Sequence, residues 1–333
     1  MIKQKITAGV DIGGTNTAFG FINEGGEYLF GGSIPTNPDE DVNKFISRLN
    51  NEIKTVEKEY SDKYILAGIG IAAPSANYRL GTIDTPSNIK WGNIDFVSMM
   101  KKHFQVPIAI MNDANAAALG EYKFGQGKGL TNFIVVTLGT GLGSGIIVNG
   151  SLLHSEDGLA GEFGHTIVKP GDRQCNCGRF GCLETYASAS GICRTVFELL
   201  ARYNDPSELR NIPFDKLTGE KISELANKAD SIAIKAFDYT GEILGKALAN
   251  LATSFLPEAI ILFGGLADSG ELLLKPTQLH FEENLLAIHK GKVKILKSMI
   301  KDGMAAVLGA SSLVSREISK RSLIFDIGKT IET

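Results

Sequence analysis

Two stretches of this 333-residue chain are built alike: "ITAGVDIGGTNTAFGFINEGG", residues 6–26, and "NFIVVTLGTGLGSGIIVNG", residues 132–150. Each reads as a strand, a glycine turn and a second strand, and in the first block Gly25–Gly26 turns the chain into a third. Two copies of one unit imply two related halves. A strand pair with an apolar face has to be covered by further strands and helices, and the sequence supplies them. "DVNKFISRLNNEIKTVEKEY" (41–60) sets Val42, Phe45, Ile46, Leu49, Ile53 and Val56 at helical spacing with charge opposite. "ILAGIGIAAP" (65–74) and "PIAIMND" (107–113) are short apolar runs, as expected of strands buried on both faces. Together these make an α/β domain ending near Asn112. Farther on come a cysteine-rich loop, a mostly helical region with one apolar-periodic stretch from about Asp230 to Phe255, and a buried strand, "AIILFGGL" (259–266). No linker or low-complexity tract separates the halves, so they are expected to pack closely around a cleft.

Composition excludes several classes. With 43% hydrophobic and 21% charged residues the chain is neither disordered nor membrane-like. A net charge of −3 gives no electrostatic case for nucleic acid. No apolar run approaches a membrane span, and the opening residues reach Asp11 before a signal-peptide core can form. The expectation is a cytoplasmic protein with neither nucleic acid nor membrane as partner.

That compartment bears on "RQCNCGRFGCLET" (173–185), which packs three of the four cysteines into one loop with Glu184 behind them. Thiols stay reduced in the cytosol, so the cluster reads as a metal site or a reactive site. A redox pair is the rival, though neighbouring C-x-C thiols close a strained ring and no C-x-x-C is present. A plain buried cluster is the bland alternative. Cys193, outside the loop, reads as a helix core residue.

Three glycine turns invite phosphates. In "DIGGT" (11–15), Gly13 and Gly14 let backbone N–H groups face an anion, Thr15 adds a hydroxyl, and Asp11 can reach a Mg²⁺ through water. In "LGTGLGSG" (138–145), Gly139, Thr140, Gly141 and Gly143 repeat the idea; alternating glycines in a strand cost chain entropy without adding packing, which favours a functional reason. Gly264 and Gly265 form a third turn after a buried strand, suited to the adenosine end of a nucleotide. "GEILGKA" (241–247) mimics a Walker motif but has three spacers and no Ser/Thr after Lys246, which reads as a solvated helix residue. The glycines do not fit the dinucleotide fingerprint either.

"DIGGT", "NDANAAALGE", "LGTGLGSG", "GEFGH", "CNCGRFGCLE" and "LFGGLA" occur in the order typical of the ROK family of sugar kinases and sugar-responsive repressors. The chain resembles that family over nearly its whole length, and most closely its bacterial glucokinases. The resemblance implies a two-domain actin-like ATPase (ribonuclease H-like) α/β fold with an interdomain cleft. Its small domain would comprise residues 1–112 with a C-terminal segment of about 311–333. A larger one, 113–310, would carry the cysteine loop. It further implies ATP and Mg²⁺, a hexose substrate, and a homo-oligomer, expected to be a dimer. His165, Cys175, Cys177 and Cys182 match the positions that hold a structural Zn²⁺, a closed Cys₃His set of the tetrahedral kind.

Asp113 matches the general base that takes the proton of the sugar's 6-hydroxyl; read from the residues alone, it is also a good N-cap. Asn88, Asn112, Glu162, His165 and Glu184 match sugar contacts, His165 with one ring nitrogen on zinc and the other toward a hydroxyl. In "GIAAPSAN" the chain departs from the family, with Ala72 and Ser75 where glycine is usual, which leaves the preferred hexose open among glucose, fructose, mannose and N-acetylhexosamines. The repressors carry a helix-turn-helix ahead of the first phosphate loop. Here that loop begins at Asp11 and no basic helix appears, so a kinase is expected.

Overall fold

The structure is a computed structural model describing residues 3–86, 89–153, 155, 160–301 and 304–331. In chain order its elements are β1 Gln4–Ile12, β2 Asn16–Asn23, β3 Tyr28–Pro35, α1 Val42–Glu59, β4 Tyr64–Ala73, the two-residue strands β5 Ala76–Asn77 and β6 Thr82–Ile83, α2 Phe96–Lys101, β7 Ile108–Asn112, α3 Asp113–Phe124, β8 Phe133–Leu138, β9 Leu142–Val148, β10 Ser151–Leu152, α4 Ala189–Arg202, α5 Gly219–Asn227, α6 Ser231–Phe255, β11 Ala259–Phe263, α7 Glu271–Asn284, β12 Lys294–Lys297 and α8 Met304–Ile331. Two five-stranded sheets share one order, β3-β2-β1-β4-β7 and β10-β9-β8-β11-β12. In each, the hairpin (β1–β2 or β8–β9) is antiparallel, and its first strand continues into two parallel neighbours. The likeness of the two sequence blocks is therefore a likeness of topology. No helix among the described residues is long and apolar enough to cross a membrane.

The chain divides into two compact units, residues 1–128 with 152–160 and 303–333, and residues 129–151 with 161–302. A first boundary at Asn112 and a returning segment from about 311 are the sequence-based expectation; the contacts place α3 and the start of α8 in the first unit. The reason is close packing. A Cβ on Gly120 would lie 2.2 Å from the Ala305 carbonyl oxygen, and one on Gly309 would lie 1.7 Å from that of Ala116, so α3 and α8 touch backbone to backbone.

Alternation along β1 explains how the first sheet is covered. Ile6, Ala8, Val10 and Ile12 face a core closed by Phe45, Ile46, Leu49 and Ile53 of α1. Thr7 and Gly9 face the other way, onto α8: the Thr7 and Ser311 hydroxyls lie 2.7 Å apart. A Cβ on Gly9 would come within 2.0 Å of the Val307 carbonyl oxygen, and one on Gly70 of β4 within 1.8 Å of that of Ala310. Gly70→Ala is thus expected to destabilise the protein by about 1–3 kcal/mol, the usual cost of overpacking, read as a lower denaturation midpoint. Gly139→Ala, where an added Cβ meets nothing within 4 Å, should leave that midpoint nearly unchanged.

In the second unit the false Walker motif finds a structural role. Gly241 and Gly245 lie on one face of α6, where added Cβ atoms would come within 2.7 Å of Pro276 and 2.5 Å of the Thr277 carbonyl oxygen on α7. Their four-residue spacing serves helix packing. Lys246 sits outside, paired with Glu242 one turn back at 2.5 Å.

Candidate functional site

β1, β4 and β7 run parallel, and their register sets Asp11 beside Ala72 and Ala72 beside Met111. The Gly13–Thr15 turn, the segment after Ala73, and Asn112–Asp113 therefore leave one end of the first sheet, the carboxyl end where open parallel sheets bind ligands. Asp11 lies within β1 opposite Ala18, half-buried. Gly13 N–H donates to the Asn16 carbonyl at 3.1 Å. Buried Thr36 clamps the turn, its hydroxyl donating to the Gly13 carbonyl at 2.7 Å and its N–H to that of Thr15 at 2.8 Å. Gly14 and Thr15 make the bend, and Thr15 is left exposed.

The second sheet repeats this arrangement. Between β8 and β9, Gly139 N–H bonds the Gly141 carbonyl at 3.1 Å. The start of α4 fastens the turn, Ala189 N–H to the Gly139 carbonyl at 2.8 Å and the Ser190 hydroxyl to that of Thr140 at 2.8 Å. Gly143 N–H reaches the Thr137 hydroxyl at 3.1 Å. Gly264, at φ +101°, lies so near the end of β8 that a Cβ would come within 2.9 Å of the Leu138 carbonyl oxygen. Leu266 N–H donates to that same oxygen at 3.0 Å. The two predicted nucleotide turns thus lie side by side, and Gly139 and Gly265 face open space.

At the start of α3 the capping assignment shifts by one residue. Asn112, not Asp113, is the N-cap: its Oδ1 accepts from Ala114 N–H at 2.9 Å and Asn115 N–H at 3.2 Å. Asp113 is the first helical residue, and its Oδ1 accepts from Ala114 N–H at 2.8 Å. The side chain keeps some solvent contact, yet dense surroundings raise its carboxyl above the ordinary value by desolvation, against a lowering by the Ala114 N–H. That is the direction that improves a proton acceptor near neutral pH. Beyond β4, Ser75 holds φ +52°, a conformation that favours glycine. Asn88 lies outside the described residues.

The cysteine loop is a tight ribbon in the second unit. Cys175 N–H bonds the Arg179 carbonyl at 2.8 Å, and Gly178 N–H that of Cys175 at 3.0 Å. Gly178 and Gly181 take φ of +86° and +79°, and a Cβ on Gly181 would overlap the Lys169 carbonyl oxygen. The turn that carries His165 docks on β9, where only a glycine fits at 164 against the Leu142 carbonyl oxygen. These constraints bring His165, Cys175, Cys177 and Cys182 together with ligand atoms all within 4.8 Å of one another. Cys175 Sγ lies 3.6 Å from His165 Nδ1, and Cys177 Sγ 3.6 Å from Cys182 Sγ. Zinc–imidazole and zinc–thiolate arms of about 2.0 and 2.3 Å give tetrahedral N–S and S–S edges of about 3.5–3.8 Å, which these two pairs match, so the donor set suits that ion. Burial opposes ionisation of Cys177, but hydrogen bonds from Arg179 and the neighbouring thiols overcome it and bring that thiol down to about 6. Burial and the Glu184 carboxylate push Cys175 up.

Glu184 joins this cluster to the glycine turn. Its Oε1 accepts from the Cys175 thiol at 3.0 Å and lies 3.7 Å from His165 Nδ1; its Oε2 accepts from Leu142 N–H at 3.4 Å and abuts Gly141. The other ring nitrogen of His165, Nε2, faces Glu162 Oε2 at 3.9 Å. Cys193 is a buried α4 residue whose thiol reaches the Leu217 carbonyl, and burial pushes it up to about 11. One residue escaped the sequence reading: Arg173, which opens the loop and is buried against α4. Its only signal was a lone arginine ahead of the cysteines, ordinarily a surface residue.

The model of the ROK family matches residues 7–317. A glucokinase of Halalkalibacterium halodurans is 36% identical over 316 residues, covering 93% of this chain and 94% of that protein. A xylose repressor of Caldicellulosiruptor bescii is 31% identical over 92% of this chain and 77% of its own length. Among solved structures, a ROK family glucokinase from Streptomyces griseus in complex with glucose and AMPPNP superposes with a TM-score of 0.81 at 32% identity, covering 93% of this chain and 99% of that one. The chain belongs to the ROK family.

Proposed function

We propose that this protein is an ATP-dependent glucokinase, phosphorylating the 6-hydroxyl of glucose with Asp113 as general base. The observation that carries the reading is the division of labour at the start of α3. Asn112 takes the capping role, leaving Asp113 at the carboxyl end of a parallel sheet with its carboxyl raised toward the useful range. The glucokinase relatives and the AMPPNP-bound Streptomyces griseus structure support substrate and donor.

When bound, ATP supplies the phosphoryl group and Mg²⁺ neutralises its charge. The chain's part is to position and to move one proton. Asp113 would accept the hydroxyl proton as the sugar oxygen bonds to the γ-phosphorus and the bond from that phosphorus to the departing ADP oxygen breaks. The N–H groups of Gly14 and Thr15 and of Thr140 and Gly141, those of Gly13 and Gly139 being spent inside their turns, would with Asp11 and the Thr15 and Thr140 hydroxyls hold the phosphates and their cation, and Gly264–Gly265 the adenosine end. Glu162, His165 and Glu184, with Asn88 and Asn112, would read the sugar hydroxyls, since a polyol is recognised by a hydrogen bond to each. His165, Cys175, Cys177 and Cys182 would hold one structural zinc, which would fix the loop that presents Glu184. All four ligand positions come from protein, which suits a closed, non-catalytic site. A cytoplasmic homodimer completes the reading, with light scattering as its check.

The deciding assay couples ADP release to a panel of glucose, mannose, fructose and N-acetylhexosamines. Glucose is expected to give the highest kcat/KM. The strained Ser75, where the family favours glycine, makes another hexose the alternative; preference for one of the others in that panel would replace glucose in this reading.

A further inference from the structure

We infer that Arg173 is a positioning residue for sugar binding, clamping both ends of the cysteine loop to α4 so that Glu184 is held by contacts additional to those of the metal. The inference rests on the kinase reading. Arg173 is only 7% exposed, and all five of its N–H donors have partners. Nε and Nη2 grip the two carboxylate oxygens of Glu198 at 2.8 and 2.6 Å. Nη1 donates to the Thr185 and Gly191 carbonyls at 2.6 and 3.2 Å, and Nη2 to the Thr195 hydroxyl at 3.0 Å. The guanidinium also stacks on the Tyr186 ring, 4.4 Å from its centroid.

These contacts have a direction. Arg173 opens the loop, and its own carbonyl accepts Gly181 N–H at 2.8 Å. Thr185 and Tyr186, which its side chain holds, follow Glu184 directly. The fork therefore ties the first residue of the loop to its last, Thr185, and to Tyr186 just beyond, and anchors both through Glu198 and Thr195 of α4. A lysine has three donors on a flexible stem and no planar fork, so it cannot reproduce this set. A metal fixes the thiols and the imidazole, and the Cys182 and Leu183 carbonyls take the Thr185 and Tyr186 N–H groups; the arginine adds the hold on the Thr185 carbonyl and the Tyr186 ring.

The test is Arg173→Lys in the full chain, with zinc content measured on the same sample. Misplacing a substrate contact by a fraction of an ångström should raise KM for glucose by about tenfold or more. The expected companions are an unchanged KM for ATP, kcat at saturating sugar within about threefold, and full zinc occupancy. A folded, zinc-loaded variant with an unaltered KM for glucose overturns the proposal, as does an equal loss across kcat and both KM values, which would mark a merely structural residue. Should that variant not fold, Glu198→Gln leaves Arg173 in place and weakens the fork; a smaller rise of the same kind is expected, and none overturns the idea. Hydrogen exchange at the amides of 183–187 reads the clamp without any turnover. If the native protein phosphorylates no hexose, the kinase reading fails by itself, while faster exchange there in Arg173→Lys supports the clamp and unchanged exchange refutes it.

Discussion

Asp113→Asn is expected to lower kcat by about 10²–10⁴-fold, the usual worth of a general base, with a much smaller effect on KM for glucose. Asparagine is the right probe because its side-chain oxygen can still accept from Ala114 N–H, so the start of α3 keeps its geometry. The cap is safe as well, since Asn112 supplies it. What disappears is the ability to take a proton. The native enzyme should show a matching pH profile. Burial raises the Asp113 carboxyl, so the base is lost as pH falls through a value above the ordinary carboxylate range, and the acid limb of kcat/KM should lie correspondingly high. Near-normal turnover in the variant would remove Asp113 from the reaction.

The second large effect concerns the metal. Purified protein should contain about one zinc per chain, as a single Cys₃His site requires. Removing the ion with a chelator, or replacing Cys177 by serine, is expected to lower the melting temperature by about 10 °C, since a few kcal/mol moves a unit of this size that far. Activity should fall in parallel, because Glu184 touches both Cys175 and the Gly141 turn. Cys193→Ala is the control: its thiol bonds the Leu217 carbonyl, away from the cluster, so metal content should be unchanged. Full activity and an unaltered melt in metal-free protein would sink the zinc assignment.

Much of this was legible in the sequence, for reasons of period and punctuation. The strands around "DIGGT" and "LGTGLGSG" announced themselves because glycine turns bound continuous apolar runs, and α6 lies at Ser231–Phe255 almost as its periodicity foretold. The His–Cys cluster was legible because few other uses explain three thiols in one loop. Contacts that depend on tertiary packing were not. Helix α3 was assigned to the second half because nothing local reveals that Gly120 and Gly309 are small in order to let α8 approach. The cap at Asn112 was missed because Asn and Asp are nearly equal as capping residues, and only backbone geometry separates them. Arg173 was invisible because an arginine looks the same in sequence whether solvated or fully partnered inside.

The seating of α8 on the first sheet also has a consequence in time. β1 and β4 present Gly9 and Gly70 to a helix that the chain supplies only from Met304 onward. A ribosome adding about 5–20 residues per second needs some 10–40 seconds to travel from the end of β7 to that helix. Throughout that interval the nascent sheet has one flank bare while the whole second unit, a single block apart from its 152–160 excursion, emerges and can fold. Birth order and completion order are therefore reversed. The half synthesised first closes last, and a stalled or truncated chain leaves the sheet face of Thr7, Gly9 and Gly70 uncovered.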